Sequence, residues 1–243
     1  MSWVEEKNMY HLAFDELERH FQHLEMRPNQ KAAFQAIVDE NKSVLLELPT
    51  GSGKTPIGGT VLKALAARGE GPLFYVTPNK AQVQQVEQAC ANDDAFRVVY
   101  GRVEHSCLFY PDAQINAQVS PCAYLRDCAH RVDQETGATH EEGVEPCPYY
   151  QQKYEAKQRG KVVVATIPFY VYTQLYTKEW GDAIAAVVFD EAHQLARMIQ
   201  TCLSFDITDW HIARAAKLVA GIDSHTGDIL SSFLATMTGI IRH

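Results

Sequence analysis

The chain of 243 residues is 46% hydrophobic and carries a formal net charge of −8, enough length and apolar content for one α/β lobe with an insertion. The acidity argues against a wholly basic nucleic-acid surface, although a local groove needs only a handful of Lys or Arg. No uninterrupted apolar run reaches the ~20 residues that span a bilayer, and the acidic start Met1-Ser2-Trp3-Val4-Glu5-Glu6 has no apolar signal region, so a cytoplasmic chain (nuclear in a eukaryote) without a membrane partner is expected.

Tyr10, Phe14, Leu17, Phe21 and Leu24 recur at steps of four and three, the period of an amphipathic helix. Arg27-Pro28-Asn29-Gln30 follows, and Pro28 suits the first turn of a second helix. Phe34, Ile37 and Val38 supply that helix with an apolar face. Ser43 to Leu46 then reads as an apolar strand. It leads into Glu47-Leu48-Pro49-Thr50-Gly51-Ser52-Gly53-Lys54-Thr55, and Pro56 to Ala67 is helical in pattern.

Strand, glycine-rich turn and helix, in that order, are the setting of a phosphate-binding loop. Gly51 and Gly53 let the backbone bend so that the N–H groups of the Thr50–Thr55 stretch point at phosphate oxygens. The helix N-terminus adds its positive dipole end. In such a loop Lys54 reaches the β- and γ-phosphates of ATP, and the Thr55 hydroxyl holds Mg²⁺.

Leu73 to Val76 reads as a buried strand, and Asn79 can cap a helix running to about Ala91. Phe96 to Tyr100 is a further strand. From about Arg102 to Pro148 the rhythm breaks, in a stretch that holds Cys107, Cys122, Cys128 and Cys147. None of the gaps between them is the two-residue gap of a zinc knuckle. Spacing alone leaves an iron–sulfur cluster, a zinc site (with His130 or His140 as possible ligands) and unligated thiols all open. The acidic stretch Asp133 to Glu145 reads as a solvated loop, and Cys90 and Cys202 as ordinary buried thiols.

Lys161 to Ala165 and Ala185 to Phe189 are the last strands. Strands alternating with helices predict a parallel sheet with helices on both faces. The final strand runs into Asp190-Glu191-Ala192-His193. Beside a phosphate loop, Asp190 at a strand end can ligate Mg²⁺ through water, and Glu191 can orient or deprotonate the attacking water. His193 is a candidate coupler of the γ-phosphate to a neighbouring lobe. Beyond it, Trp210 to Ala220 and Gly227 to Ile241 read as helices, with Leu230, Leu234, Met237 and Ile241 on one face.

Together these segments resemble the N-terminal motor lobe of the XPD/DinG-type iron–sulfur superfamily 2 DNA helicases. Arg27-Pro28-Asn29-Gln30 resembles the family's R-P-x-Q segment, Leu48 to Thr55 its phosphate loop and Tyr75-Val76-Thr77-Pro78-Asn79 its motif Ia. Gly101-Arg102 and Cys147-Pro148-Tyr149-Tyr150 resemble the borders of its cluster domain, and Asp190-Glu191-Ala192-His193 its DEAH box. Ala165-Thr166-Ile167-Pro168 departs from the family's Thr-Asn-His-type sequence.

The resemblance implies a RecA-like P-loop lobe over 1–101 and 149–197, a cluster insertion over 102–148 and the start of a helical arch over 198–243. It implies that Gln30 helps recognise adenine. It also implies that Cys107, Cys122, Cys128 and Cys147 ligate a [4Fe–4S] cluster. The expected activity is ATP-dependent 5′-to-3′ translocation on single-stranded or forked DNA, with the insertion aiding strand separation. No second α/β lobe is legible after Ile199, so the expectation includes a second lobe supplied in cis or in trans. The alternative is a nucleotide-switched DNA- or protein-binding module that unwinds nothing.

Overall fold

The structure is a computed structural model that describes residues 11–22, 25–40, 43–49, 51–111, 116–117 and 128–204, with isolated positions at 232, 235 and 236. The chain divides into two compact units, Met1–Ile199 and Gln200–His243. The predicted helices from Trp210 and from Gly227 fall almost entirely outside the described residues.

Among the described residues, four strands build the first unit: β1 (Leu73–Thr77), β2 (Phe96–Val98), β3 (Val162–Thr166) and β4 (Ala186–Phe189). All pair in parallel, in the order β2-β3-β1-β4. The sheet is aliphatic because both of its faces are covered, as parallel sheets require. Side chains alternate between those faces. Leu73, Tyr75, Val162 and Val164 point into a core shared with α1 (Phe14–His20), α2 (Pro28–Glu40), α3 (Lys54–Ala67) and α4 (Lys80–Ala89). On the other face Phe74 meets Tyr170 of α6 (Ile167–Val171) edge-on at 4.9 Å and Trp180 at 5.2 Å.

The helix starts follow their sequence signals. Pro28 opens α2, where its missing N–H costs nothing. The Asn79 side chain accepts from the Gln82 N–H at 3.1 Å and caps α4. Helix α1 is shorter than its apolar period: Phe21 is already extended, and Tyr10 and Leu24 lie outside the described residues. Arg68, just past α3, forms an ion pair with Glu16 and fastens α1 to it.

One predicted strand is absent. Ser43 to Leu46 is not part of the sheet, and residues 43–49 carry no regular structure. Leu46 and Leu48 pack against the core, whereas Leu45 is 85% exposed. An apolar run predicts burial, but a strand also needs a hydrogen-bonded neighbour, and this segment has none among the described residues.

Among the described residues the insertion has a 3₁₀ turn at Arg102–Glu104 and isolated antiparallel bridges from Ser106 to Asn116 and from Val132 to Thr139. It returns to the lobe through α5 (Pro148–Ala156). Tyr149 and Tyr150 are buried there beneath Arg102 and Lys153. Phe109 and Tyr110 remain exposed and stack edge-on at 4.8 Å. Among the described residues, no helix is long and apolar enough to cross a membrane.

Lys153 is a buried cation, paired with Glu179. Burial pushes its pKa down to about 8, opposed by the Glu179 charge. Between about pH 8 and the ordinary lysine value the unfolded chain holds the extra proton, so this site adds stability as pH rises through that window. The urea midpoint of the wild type is therefore expected to rise relative to that of Lys153→Met between pH 7.5 and 9.5; a constant difference would count against the shift.

Candidate nucleotide site

The phosphate loop lies where α3 begins. Gly53 occupies the N-cap with φ 89° and ψ 41°, and Gly51 has φ 78°. These left-handed conformations are ones only glycine adopts without strain, so the sequence places its glycines where the turn needs them. The Gly53 position is also spatially closed, since a Cβ there would lie 2.3 Å from Gln30 Nε2. With glycine at the N-cap, no side chain caps α3, and no acid lies in its first turn. Uncapped N–H groups without a competing carboxylate suit an anion.

Helix α2 braces the loop from behind. The Arg27 guanidinium donates to the Gly51 carbonyl at 2.7 Å, and the Asn29 amide donates to the Ser52 carbonyl at 3.4 Å. Gln30 is buried: its Oε1 accepts from the Arg27 N–H at 2.9 Å, and its Nε2 donates to the Gly53 carbonyl at 3.5 Å. The Lys54 ammonium folds back over the loop and donates to the Leu48 carbonyl at 3.3 Å. The Ser52 hydroxyl is buried with no hydrogen-bond partner among the described residues. A buried hydroxyl costs free energy until something bonds it, and a phosphate oxygen would do so, so the loop fits a nucleotide. Thr50 lies outside the described residues.

The acidic segment arrives from β4. The Asp190 N–H donates to the Val76 carbonyl at 2.9 Å, which extends the β1–β4 pairing by one residue. Asp190 Oδ1 accepts from the Glu191 N–H at 3.0 Å. Glu191 has φ 51°, a left-handed turn in a non-glycine residue. Such strain clusters at functional sites. His193 Nδ1 stands 3.3 Å from Glu191 Oε2 and is largely exposed.

Tyr75 joins the two halves. It pairs with Val188 of β4, and its ring lies under Gly58 of α3, where a Cβ would come within 3.1 Å of Tyr75 Cε2. Burial first, and then the Asp190 charge, pushes the Tyr75 pKa far above the ordinary tyrosine range. Gly58, one turn into α3, lies over Val188 of β4, two residues before Asp190. The loop and the acid pair therefore lie at the same carboxyl edge of the sheet, where open α/β sheets bind ligands. Sequence reasoning placed Tyr75 in a motif but missed this contact. The available signal was a tyrosine among apolar residues of β1, two residues before its end at Thr77.

The cysteines of the insertion are less settled. Cys107 and Cys147 are buried and Cys128 is half-buried. Their segments converge: the Cys147 N–H donates to the His130 carbonyl at 2.7 Å, and the His105 ring lies 5.9 Å from that of Tyr149. Cys122 lies outside the described residues. Among the described residues, no three His, Cys, Asp or Glu side chains are gathered closely enough to hold a metal. Cys202 is buried, but Cys90, at the end of α4, is only half-buried.

Residues 23–217 match the family described as type III restriction enzyme, res subunit. The chain belongs to that family. A res-subunit domain is an ATP-dependent, helicase-like motor domain of superfamily 2, and its α/β fold with a parallel sheet agrees with the architecture seen here. ATP and Mg²⁺ are the ligands such a domain calls for, and nucleic acid is its partner. No curated protein matches the chain.

Proposed function

We propose that this domain is the ATP-hydrolysing lobe of a DNA helicase of the XPD/DinG type, moving 5′ to 3′ on single-stranded or forked DNA. The observation that carries the reading is a loop turned by left-handed Gly51 and Gly53 at the uncapped start of α3, which lies over β4, the strand that ends at Asp190. In this reading Lys54 and the loop N–H groups of residues 50–55 hold the phosphates, and Gln30 faces the adenine. Thr55 and Asp190 face Mg²⁺, whose charge offsets that of the phosphates. Glu191 orients and deprotonates the attacking water. His193, beside Glu191, couples that carboxylate to a second motor lobe supplied in cis or in trans.

In the insertion, Cys107, Cys122, Cys128 and Cys147 would hold a [4Fe–4S] cluster, which would stiffen a module whose described residues carry little regular structure. The burial of Cys107 and Cys147 and the convergence of the described cysteine segments support this. Exposed Phe109 and Tyr110 are suited to stacking on unpaired bases, whereas buried Tyr149 and Tyr150 pack the module.

The test is ATP hydrolysis by the intact polypeptide with and without single-stranded DNA, alongside separation of a forked duplex. DNA-stimulated turnover with unwinding from a 5′ tail is expected. Nucleotide binding without turnover at saturating DNA would instead mark a nucleotide-switched binding module. Anaerobically purified protein is expected to be brown with about four irons per chain, and Cys128→Ser to lose most of them. Full iron retention would remove Cys128 from the ligand set, and a colourless protein with one zinc would remove the cluster.

A further inference from the structure

Arg27 is exposed, and its guanidinium donates to the Gly51 carbonyl at 2.7 Å. The Asn29 amide donates to the Ser52 carbonyl at 3.4 Å, and Gln30 Nε2 to the Gly53 carbonyl at 3.5 Å. Three consecutive carbonyls of the phosphate loop therefore meet three side chains from the start of α2. Of these bonds, that of Arg27 is the shortest and carries a charge, which makes it the strong one.

Peptide geometry turns this brace into an orientation. In a planar trans peptide the C=O of one residue and the N–H of the next point in opposite directions. Carbonyls held toward α2 thus turn the N–H groups of Ser52, Gly53 and Lys54 away from it. The Ser52 N–H closes the turn onto the Pro49 carbonyl at 3.2 Å. Those of Gly53 and Lys54 stand at the start of α3, where an anion is favoured. The empty loop needs such support. Gly51 and Gly53 are left-handed, and the buried Ser52 hydroxyl has no hydrogen-bond partner among the described residues, so a loop released from α2 would gain by relaxing.

We propose that Arg27 is a positioning residue of the nucleotide site, which holds the phosphate loop in its anion-ready shape before nucleotide arrives. The proposal rests on the nucleotide reading above. Arg27 acts through the backbone N–H groups, which take the α- and β-phosphates, whereas Lys54 reaches on to the γ-phosphate. Its effect is therefore the same on a diphosphate as on a triphosphate.

The test is a titration of the intact protein with fluorescent ADP and ATP analogues in Mg²⁺, beside urea unfolding without nucleotide. Arg27→Ala is expected to weaken both analogues alike, by about 3- to 10-fold, because the loop must then be ordered on binding. Its urea midpoint is expected to match that of wild type, since Pro28 still opens α2 and buried Met26 still anchors the segment. Unchanged affinity would overturn the proposal. So would a loss confined to ATP, which would make Arg27 a direct partner of the γ-phosphate, or a loss matched by a lower midpoint, which would make it a brace of the fold. Lys54→Ala is the control for the underlying reading. If it binds both analogues like wild type, the nucleotide site itself is misplaced; if it weakens them while Arg27→Ala does not, the positioning role alone fails.

Discussion

Glu191→Gln is expected to slow ATP hydrolysis by about 10²- to 10⁴-fold while leaving nucleotide affinity nearly unchanged. That range is what a positioned general base contributes. Glutamine keeps the size of the side chain and the left-handed turn at residue 191, so the fold around Asp190 has no reason to move. It removes only the ability to take a proton. The measurement is single-turnover hydrolysis beside equilibrium nucleotide binding, on the intact polypeptide with saturating single-stranded DNA. A variant that hydrolyses within about threefold of wild type would take the base role from Glu191. One that loses binding and rate together would make it a binding residue.

The second large effect is expected at Lys54. Among the described residues its ammonium makes one hydrogen bond, at 3.3 Å to a carbonyl of its own loop. Truncation to alanine therefore costs the fold little, and the unfolding midpoint is expected to stay where it is. Nucleotide binding is a different matter, because a charge-assisted bond to phosphate contributes about 1.5–3 kcal/mol, or about 10- to 150-fold in affinity. Lys54→Ala with unchanged affinity would refute the phosphate-loop assignment. A fall in both affinity and stability would instead point to a structural lysine.

Local signals were more legible in the sequence than the framework around them. Glycines at left-handed positions, a lysine opening a helix and an acid ending a strand are local signals, and each stands where its spacing implied. Four of the five predicted strands formed, with ends shifted by a residue or two. Ser43 to Leu46 did not, because strand formation depends on a partner elsewhere in the chain and periodicity records only burial. The Tyr75 contact was illegible for a similar reason. It depends on the register of β1 against β4 and on the gap at Gly58, and both are properties of the assembled sheet. The insertion has so little repeating pattern that cysteine spacing left its ligand chemistry open.

The buried amide of Gln30 touches the backbone at Gly53 so closely that no side chain would fit between them. The α2 helix and the proposed phosphate loop are therefore packed in direct contact. In the proposed reading, a nucleotide that displaced the glutamine would disturb the turn that holds its phosphates, so a mismatched purine would register as a looser hold on phosphate and not merely as a missing base contact.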